Sequence, residues 1–171
     1  MTQTTNYPSD YSYNDIFTFN QAAGNLRECK DTSEFVQKVF RQLDLIKEEL
    51  NETYAGAHGV PDFTELLDGC CDLLVVVTGL QQILEANGFD VQGAMKATNE
   101  NNLSKFCRTP PDVYDTFDYY EKRGIQCTAV HDDISGYIVV KNKETGKVLK
   151  KVGFKSNDVS PFVSDKFKER F

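Results

Sequence analysis

Much that would point directly at a mechanism is scarce in this chain of 171 residues. It has only two histidines, His58 in a glycine-bounded loop and His131 ahead of a β-rich stretch. Both read as surface residues, and no Ser-His-Asp or Cys-His nucleophile system is indicated. The five cysteines (Cys29, Cys70, Cys71, Cys107 and Cys127) are odd in number, and no spacing among them resembles a paired C-x-x-C zinc frame. Reduced structural thiols in a cytoplasm are the expectation. The longest purely aliphatic run, residues 73–77, is far too short to span a bilayer, and residues 1–12 are polar and tyrosine-rich. Neither membrane insertion nor secretion is expected. Basic residues are outnumbered, 19 against 26 acids, for a net charge of −7 and a pI near 4.9. That balance argues against a broad cationic surface gripping duplex nucleic acid. No internal repeat or low-complexity tract is evident.

What is present suits one compact domain: 40% hydrophobic and 12% aromatic residues are enough to bury a core. The expected organisation is a flexible N-terminus over residues 1–12, a helical catalytic domain over 13–122, and a C-terminal β-hairpin extension and tail over 123–171. Tyr13, Ile16, Phe17 and the Ala22-Ala23 pair predict a short helix stopped by Gly24. Asp31-Thr-Ser-Glu34 has capping-box spacing and opens a helix with Val36, Val39, Phe40, Leu43, Ile46 and Leu50 at helical intervals. Asp62-Phe-Thr-Glu65 opens a second long helix ending near Asn87-Gly88. Its middle is apolar nearly all round, as expected of a helix buried on several sides. A third helix runs from about Asp90 to Leu103-Ser104, and a short one follows over 113–122. Residues 137–141 and 147–150 flank Glu144-Thr145-Gly146 and predict a β-hairpin. The fold class is therefore all-α with a small β appendage.

The positions of the acids are the informative oddity. Glu49 and Glu52 lie three residues apart on the first long helix, and Glu65, Asp68 and Asp72 form a line on the second that runs into its most hydrophobic stretch. A buried unpaired carboxylate costs several kcal/mol, so a buried Asp72 would need basic partners, such as Lys96 or Lys105, or a hard divalent cation. Taken alone, Glu48-Glu49-x-x-Glu52 reads as a solvated helix face, because charged residues are mostly exposed. For the central-helix acids the two readings stand about even.

Glu48-Glu49-Leu-Asn-Glu52, then Asp68-Gly-Cys-Cys-Asp72-Leu-Leu-Val-Val-Val-Thr-Gly79, and then Asn101-Asn102-Leu-Ser104-Lys105-Phe106 occur in an order and spacing that resemble the MazG-like pyrophosphohydrolases. The likeness is to the virus-encoded (phage-type), phosphoribosyl-ATP-pyrophosphohydrolase-like branch and covers roughly residues 13–108. It implies a helical bundle of the all-α nucleoside triphosphate pyrophosphatase type. It also implies Mg2+, with Mn2+ as an alternative, held by Glu49, Glu52 and Asp72. Many members carry a glutamate where this chain has Gly69, which leaves the fourth ligand open; Asp68 is the choice here. Asn102 and Lys105 resemble the element that meets sugar and phosphates, although alone they read as a helix cap and a solvated end. Asn20 or Gln21 would read the base.

The reaction so implied is attack of water at the α-phosphorus of a (deoxy)nucleoside triphosphate, with Glu48 or Glu49 as general base, releasing the monophosphate and pyrophosphate. A second packing face on the first long helix, together with the likeness, predicts a homodimer or homotetramer. The expected location is the cytoplasm, that of a bacterial host if the chain is phage-encoded. The rival readings are a non-catalytic nucleotide sensor, a helical adaptor, and a purely structural protein.

Overall fold

A computed structural model describes residues 11–168. Of the expected flexible N-terminus only residues 11 and 12 are among them, and these open the first helix. The chain is mainly helical, with one small antiparallel sheet. It divides into two compact units: residues 11–91 with 162–168, and Gln92–Pro161.

The first unit is built from α1 (Tyr11–Ala22), α2 (Thr32–Ala57) and α3 (Phe63–Ala86). Asp31 caps α2 by accepting the Glu34 N–H at 2.9 Å, while the Glu34 carboxylate reaches back to the Lys30 N–H at 2.8 Å. Each bond satisfies a donor at the start of the helix, where no backbone acceptor is available. Asp62 caps α3 through the Thr64 and Glu65 N–H groups at 2.9 and 3.2 Å. The predicted stops hold: Gly24 (φ +74°) follows α1, and Gly88 (φ +86°) follows the Asn87 cap of α3. Both are left-handed positions that cost glycine little.

Helices α2 and α3 form an antiparallel hairpin, with Gly56 against Glu65, Gly69 against Thr53, and Gly79 against Gln42. Helix α1 lies antiparallel on α3, where Asn20 and Tyr13 reach Gln82. The apolar core gathers at one end of the hairpin around Cys29, Phe35, Ile83 and Phe167. Phe167 arrives on the four-residue α6 (Asp165–Lys168) and stacks on Phe35 and Phe89 at centroid distances of 4.5 and 5.5 Å. Asn87 ties this end together, accepting the Cys29 N–H at 2.9 Å and donating to the Ile83 carbonyl at 2.8 Å.

Two expectations about burial are corrected. On α2, Val36, Phe40, Leu43 and Leu50 are exposed, and the line facing α3 is Phe35, Val39, Gln42, Ile46, Glu49 and Thr53. Period-counting found a stripe, but the wider apolar stripe is not the one this chain buries by itself. On α3, Cys70, Cys71, Leu74 and Val77 are likewise exposed, so the helix is not enclosed on all sides within one chain.

The second unit holds most of α4 (Val91–Leu103), α5 (Pro110–Glu121), β1 (Cys127–His131) and β2 (Ile138–Asn142). Helix α5 starts on a reciprocal capping box between Thr109 and Asp112, with prolines in its first turn, where no N–H is needed. Strands β1 and β2 pair in register from Cys127↔Asn142 to His131↔Ile138. The expected hairpin partner of residues 137–141 was the 147–150 run. That pairing forms: the Asn142 N–H donates to the Lys147 carbonyl and the Leu149 N–H to the Val140 carbonyl, both at 2.8 Å, about the bridge Lys141↔Val148 and a turn in which Asn142 Oδ1 accepts the Glu144 and Thr145 N–H groups; β1 is a further partner of β2. Thr116, Cys107 and Val140 are this unit's most buried side chains, and burial pushes the Cys107 thiol up. No helix among the described residues is long and apolar enough to cross a membrane.

Candidate functional site

The acids of the first unit meet along the α2–α3 seam. Glu49 sits on the α3-facing line of α2, one turn before Thr53, and the Thr53 hydroxyl donates to the Glu49 carbonyl at 2.7 Å. Its carboxyl is held above the ordinary glutamate range. Partial desolvation is the largest cause, followed by the charges of Asp72, Glu52, Glu48 and Asp68 in that order. Both helices thus direct carboxylates toward the same neighbourhood. Asp72, Asp68, Glu52 and Glu48 are exposed and Glu49 is half-buried. The premise that Asp72 is buried within one chain is therefore corrected: it stands exposed on α3. Among the described residues none of these five acids has a lysine or arginine within ion-pair distance; the ion pairs present involve other residues. Lys96 and Lys105, the basic partners considered for Asp72, belong to the other unit.

Carboxylate oxygen is the donor chemistry that Mg2+ prefers, and an unpaired acid cluster is relieved by a divalent charge. As they stand, no three or more His, Cys, Asp or Glu among the described residues close round a point fit to hold an ion. The residue chemistry fits the metal; the side chains are not drawn together around one.

Gly69, where the family resemblance leads one to expect an acid, is explained by packing. A Cβ there would lie 2.5 Å from Thr53 Oγ1 and 3.0 Å from Thr53 Cα. The helices approach too closely at this level for any side chain on α3.

Farther along the seam lies a cluster of buried amides that the sequence reading found only in part. Asn20, Gln42, Gln82 and Thr78 are all buried. Asn20 donates to Gln82 Oε1 at 3.1 Å and accepts from Asn25 at 3.0 Å, while Gln42 donates to the Val76 carbonyl at 2.8 Å. Gly79 leaves room for them: a Cβ would stand 3.0 Å from Gln42 Nε2 and 3.4 Å from Asn20 Nδ2. Beside this cluster Tyr13 donates to Glu85, and burial together with that carboxylate pushes its hydroxyl up to about 12. Of the two expected base readers, Asn20 is committed to this network and Gln21 is exposed. Gln42 and Gln82 could have been found as glutamines at heptad positions otherwise held by apolar residues.

Asn102 and Lys105 stand in the second unit, where Lys105 Nζ donates to Asn102 Oδ1 at 2.6 Å. They form a pair with each other, as their i, i+3 spacing allows.

No known protein-family profile matches the chain. It is similar to an uncharacterised protein of Acanthamoeba polyphaga mimivirus, 34% identical over 106 residues, which is 62% of this chain and 41% of the relative. The chain thus spans about two fifths of that protein's length. No solved structure matches it.

Proposed function

We propose that the chain is a Mg2+-dependent nucleotide pyrophosphohydrolase of the MazG-like kind, converting a (deoxy)nucleoside triphosphate to its monophosphate and pyrophosphate. The observation that carries this reading is the group of carboxylates around Glu49, contributed by two packed helices and lacking basic partners among the described residues. Glu49, Glu52, Asp68 and Asp72 would hold the ion, which when bound would supply positive charge against the phosphates. Glu48 is the exposed carboxylate left to accept a proton from water.

The amide cluster stands at the other end of the seam, buried and bonded within the protein. Gly79 is seven residues from Asp72, about 10 Å along the helix axis. A nucleotide with its phosphates at the acids would have its base toward Asn20, Gln42 and Gln82, and reading it would require the helices to part and these amides to exchange their internal bonds for bonds to the base. Asn102 and Lys105 remain the proposed phosphate and sugar contacts, resting on the family resemblance alone. Exposed Phe40, Leu43, Leu50, Leu74 and Val77 support a homodimer or homotetramer, because helix faces this apolar ordinarily pack against protein. A second copy would also enclose Asp72.

Incubation with a panel of ribo- and deoxynucleoside triphosphates and Mg2+, followed by chromatography, tests the activity. Monophosphate and pyrophosphate should appear in equal amounts, and Glu52→Gln or Asp72→Asn should abolish turnover while the fold survives. Near-normal turnover in both variants would refute the assignment. Because the acids do not close round one point, a nucleotide sensor is the second reading. It predicts a rise in melting temperature with a nucleotide and no cleavage.

A further inference from the structure

The overall acidity of the chain conceals a division of charge. Residues Gln92–Pro161 carry 11 lysines and arginines against nine acids, while the rest carries eight against 17. Six of the lysines fall within residues 137–157, where Glu144 is the lone acid. The fold gathers part of this charge beside aromatic rings. The Arg108 guanidinium lies 4.2 Å from the Tyr137 ring centre and donates to its hydroxyl, and the Arg123 guanidinium lies 3.6 Å from the Tyr119 ring centre. Lys150 Nζ and Lys105 Nζ stand 4.6 and 5.9 Å from the centre of one ring, Phe154.

These groups border two hollows that share Lys151. One, of about 370 Å3, is lined by Phe106, Arg108 and Tyr137, and the other, of about 270 Å3, by Tyr119, Tyr120, Lys150 and Phe154. The backbone holds the wall between them in place: Tyr120 donates to the Lys150 carbonyl, the Lys151 N–H to the Lys105 carbonyl, and the Val152 N–H to Thr116 Oγ1. Counter-charge is sparse. Asp112 is 3.9 Å from Lys151, and its carboxylate already accepts the Arg108 and Thr109 N–H groups. Glu100 lines the first hollow. Among the described residues Arg108, Arg123 and Lys150 have no carboxylate within ion-pair distance.

We propose that this face of the second unit, with Arg108, Lys150 and Lys151 set among Tyr119, Tyr137 and Phe154, binds a short stretch of single-stranded nucleic acid. Cations that track a phosphodiester chain and rings that offer faces to unpaired bases are the two elements such binding combines. A duplex meets only the first of these. Its bases are already stacked on one another and offer no free faces to the rings. The proposal is independent of the pyrophosphohydrolase reading: Arg108, Lys150, Lys151 and the three rings have no part in that reading, and Lys105, its proposed phosphate contact, only borders the face.

The full chain titrated against fluorescein-labelled oligothymidylate and oligouridylate of twelve nucleotides, in EDTA, gives a direct readout by anisotropy. Binding should weaken steeply as salt rises from about 20 mM, as phosphate neutralisation requires. The Arg108→Ala, Lys150→Glu double variant should lose about tenfold or more in affinity, and Phe154→Leu about fivefold or more. All should melt within a few degrees of the parent protein. Phe154→Leu binding like the parent would reduce the face to nonspecific charge, and equal affinity for a duplex of the same length would remove the preference for single strands. Displacement by thymidine monophosphate at concentrations matching the oligomer would make the ligand a free nucleotide. Each of these results overturns the proposal, as does the absence of binding at low salt.

Discussion

Gly69→Ala is the sharpest test of how the acid seam is built. In an ordinary helix interior the change would stabilise by about 0.5–1 kcal/mol, because alanine loses less backbone entropy on folding. Here the new methyl would fall 2.5 Å from Thr53 Oγ1, 3.0 Å from Thr53 Cα and 3.1 Å from Thr53 Cβ. The hydroxyl is held by its bond to the Glu49 carbonyl, and Cα is backbone, so relief requires the helices to separate. Overpacking of this kind costs about 1–3 kcal/mol, which exceeds the propensity gain and leaves a net loss of about 0.5–2 kcal/mol. At roughly 4 °C per kcal/mol, thermal unfolding should move down by about 2–8 °C. Thr53→Ala removes the closest of the three contacts, so the double variant should be more stable than the two single losses predict, by about 0.5–1 kcal/mol. Circular dichroism melts of the four proteins decide the matter. A Gly69→Ala protein as stable as its parent would show that the helices are not in close contact there, and strict additivity would show that Thr53 is not what the methyl meets.

Other outcomes follow from single groups. Glu49 has its carboxyl raised in the folded chain, so it binds a proton more readily folded than unfolded; its contribution to stability is present at acid pH and is lost as pH rises through the folded value. Glu49→Gln should therefore raise the melting temperature at pH 7 in EDTA, shrink the gain seen on acidification, and reduce any stabilisation by Mg2+. A lower melting temperature in EDTA would contradict the repulsion argument. Phe167→Ala removes the ring stacked on Phe35 and Phe89 and should cost about 3–5 kcal/mol in denaturant titrations. A loss below about 1 kcal/mol would mean that α6 is not part of the core. Asn87→Ala leaves the Cys29 N–H without its acceptor and should cost about 1–3 kcal/mol; an unchanged midpoint would refute that role.

What was legible in the sequence and what was not divide along a physical line. Helix ends are decided locally, by a carboxylate within reach of two or three amides or by a glycine at positive φ. Asp31, Asp62, Gly24 and Gly88 could therefore be read without knowing what packs where. Which face a helix buries depends on its partners: of the apolar period on α2, Val39 and Ile46 do lie on the packed line, whereas Val36, Phe40, Leu43 and Leu50 are exposed and Phe35, Gln42 and Glu49 take their place. The hairpin of β2 with residues 147–149 is likewise local, set by the turn at 144–146. Pairing of β2 with Cys127–His131 also turns on a local mark, Asp132 accepting the Ser135 N–H with Gly136 at φ +71°, so this second partner lies within reach of the same reasoning. The return of Phe167 to the core had no signal at all, since a four-residue helix near the end of the chain has no period to detect.

The same division bears on the acids. Their spacing placed them on two helices; only the antiparallel approach at Gly69 and Thr53 brings Asp72 and Asp68 within electrostatic reach of Glu49. Five carboxylates without basic partners among the described residues, beside an exposed apolar stripe, leave two deficits in one chain: charge that wants a cation and surface that wants cover. A second copy laid over α2 and α3 would answer the second deficit and, by excluding water from Asp72, would deepen the first. Oligomerisation and Mg2+ affinity are therefore expected to be coupled. Substituting exposed Leu74 with glutamate should lower the oligomeric mass in light scattering and weaken the Mg2+-induced rise in melting temperature together. If the mass falls while the Mg2+ response is untouched, the acids of a single chain suffice and the coupling is absent.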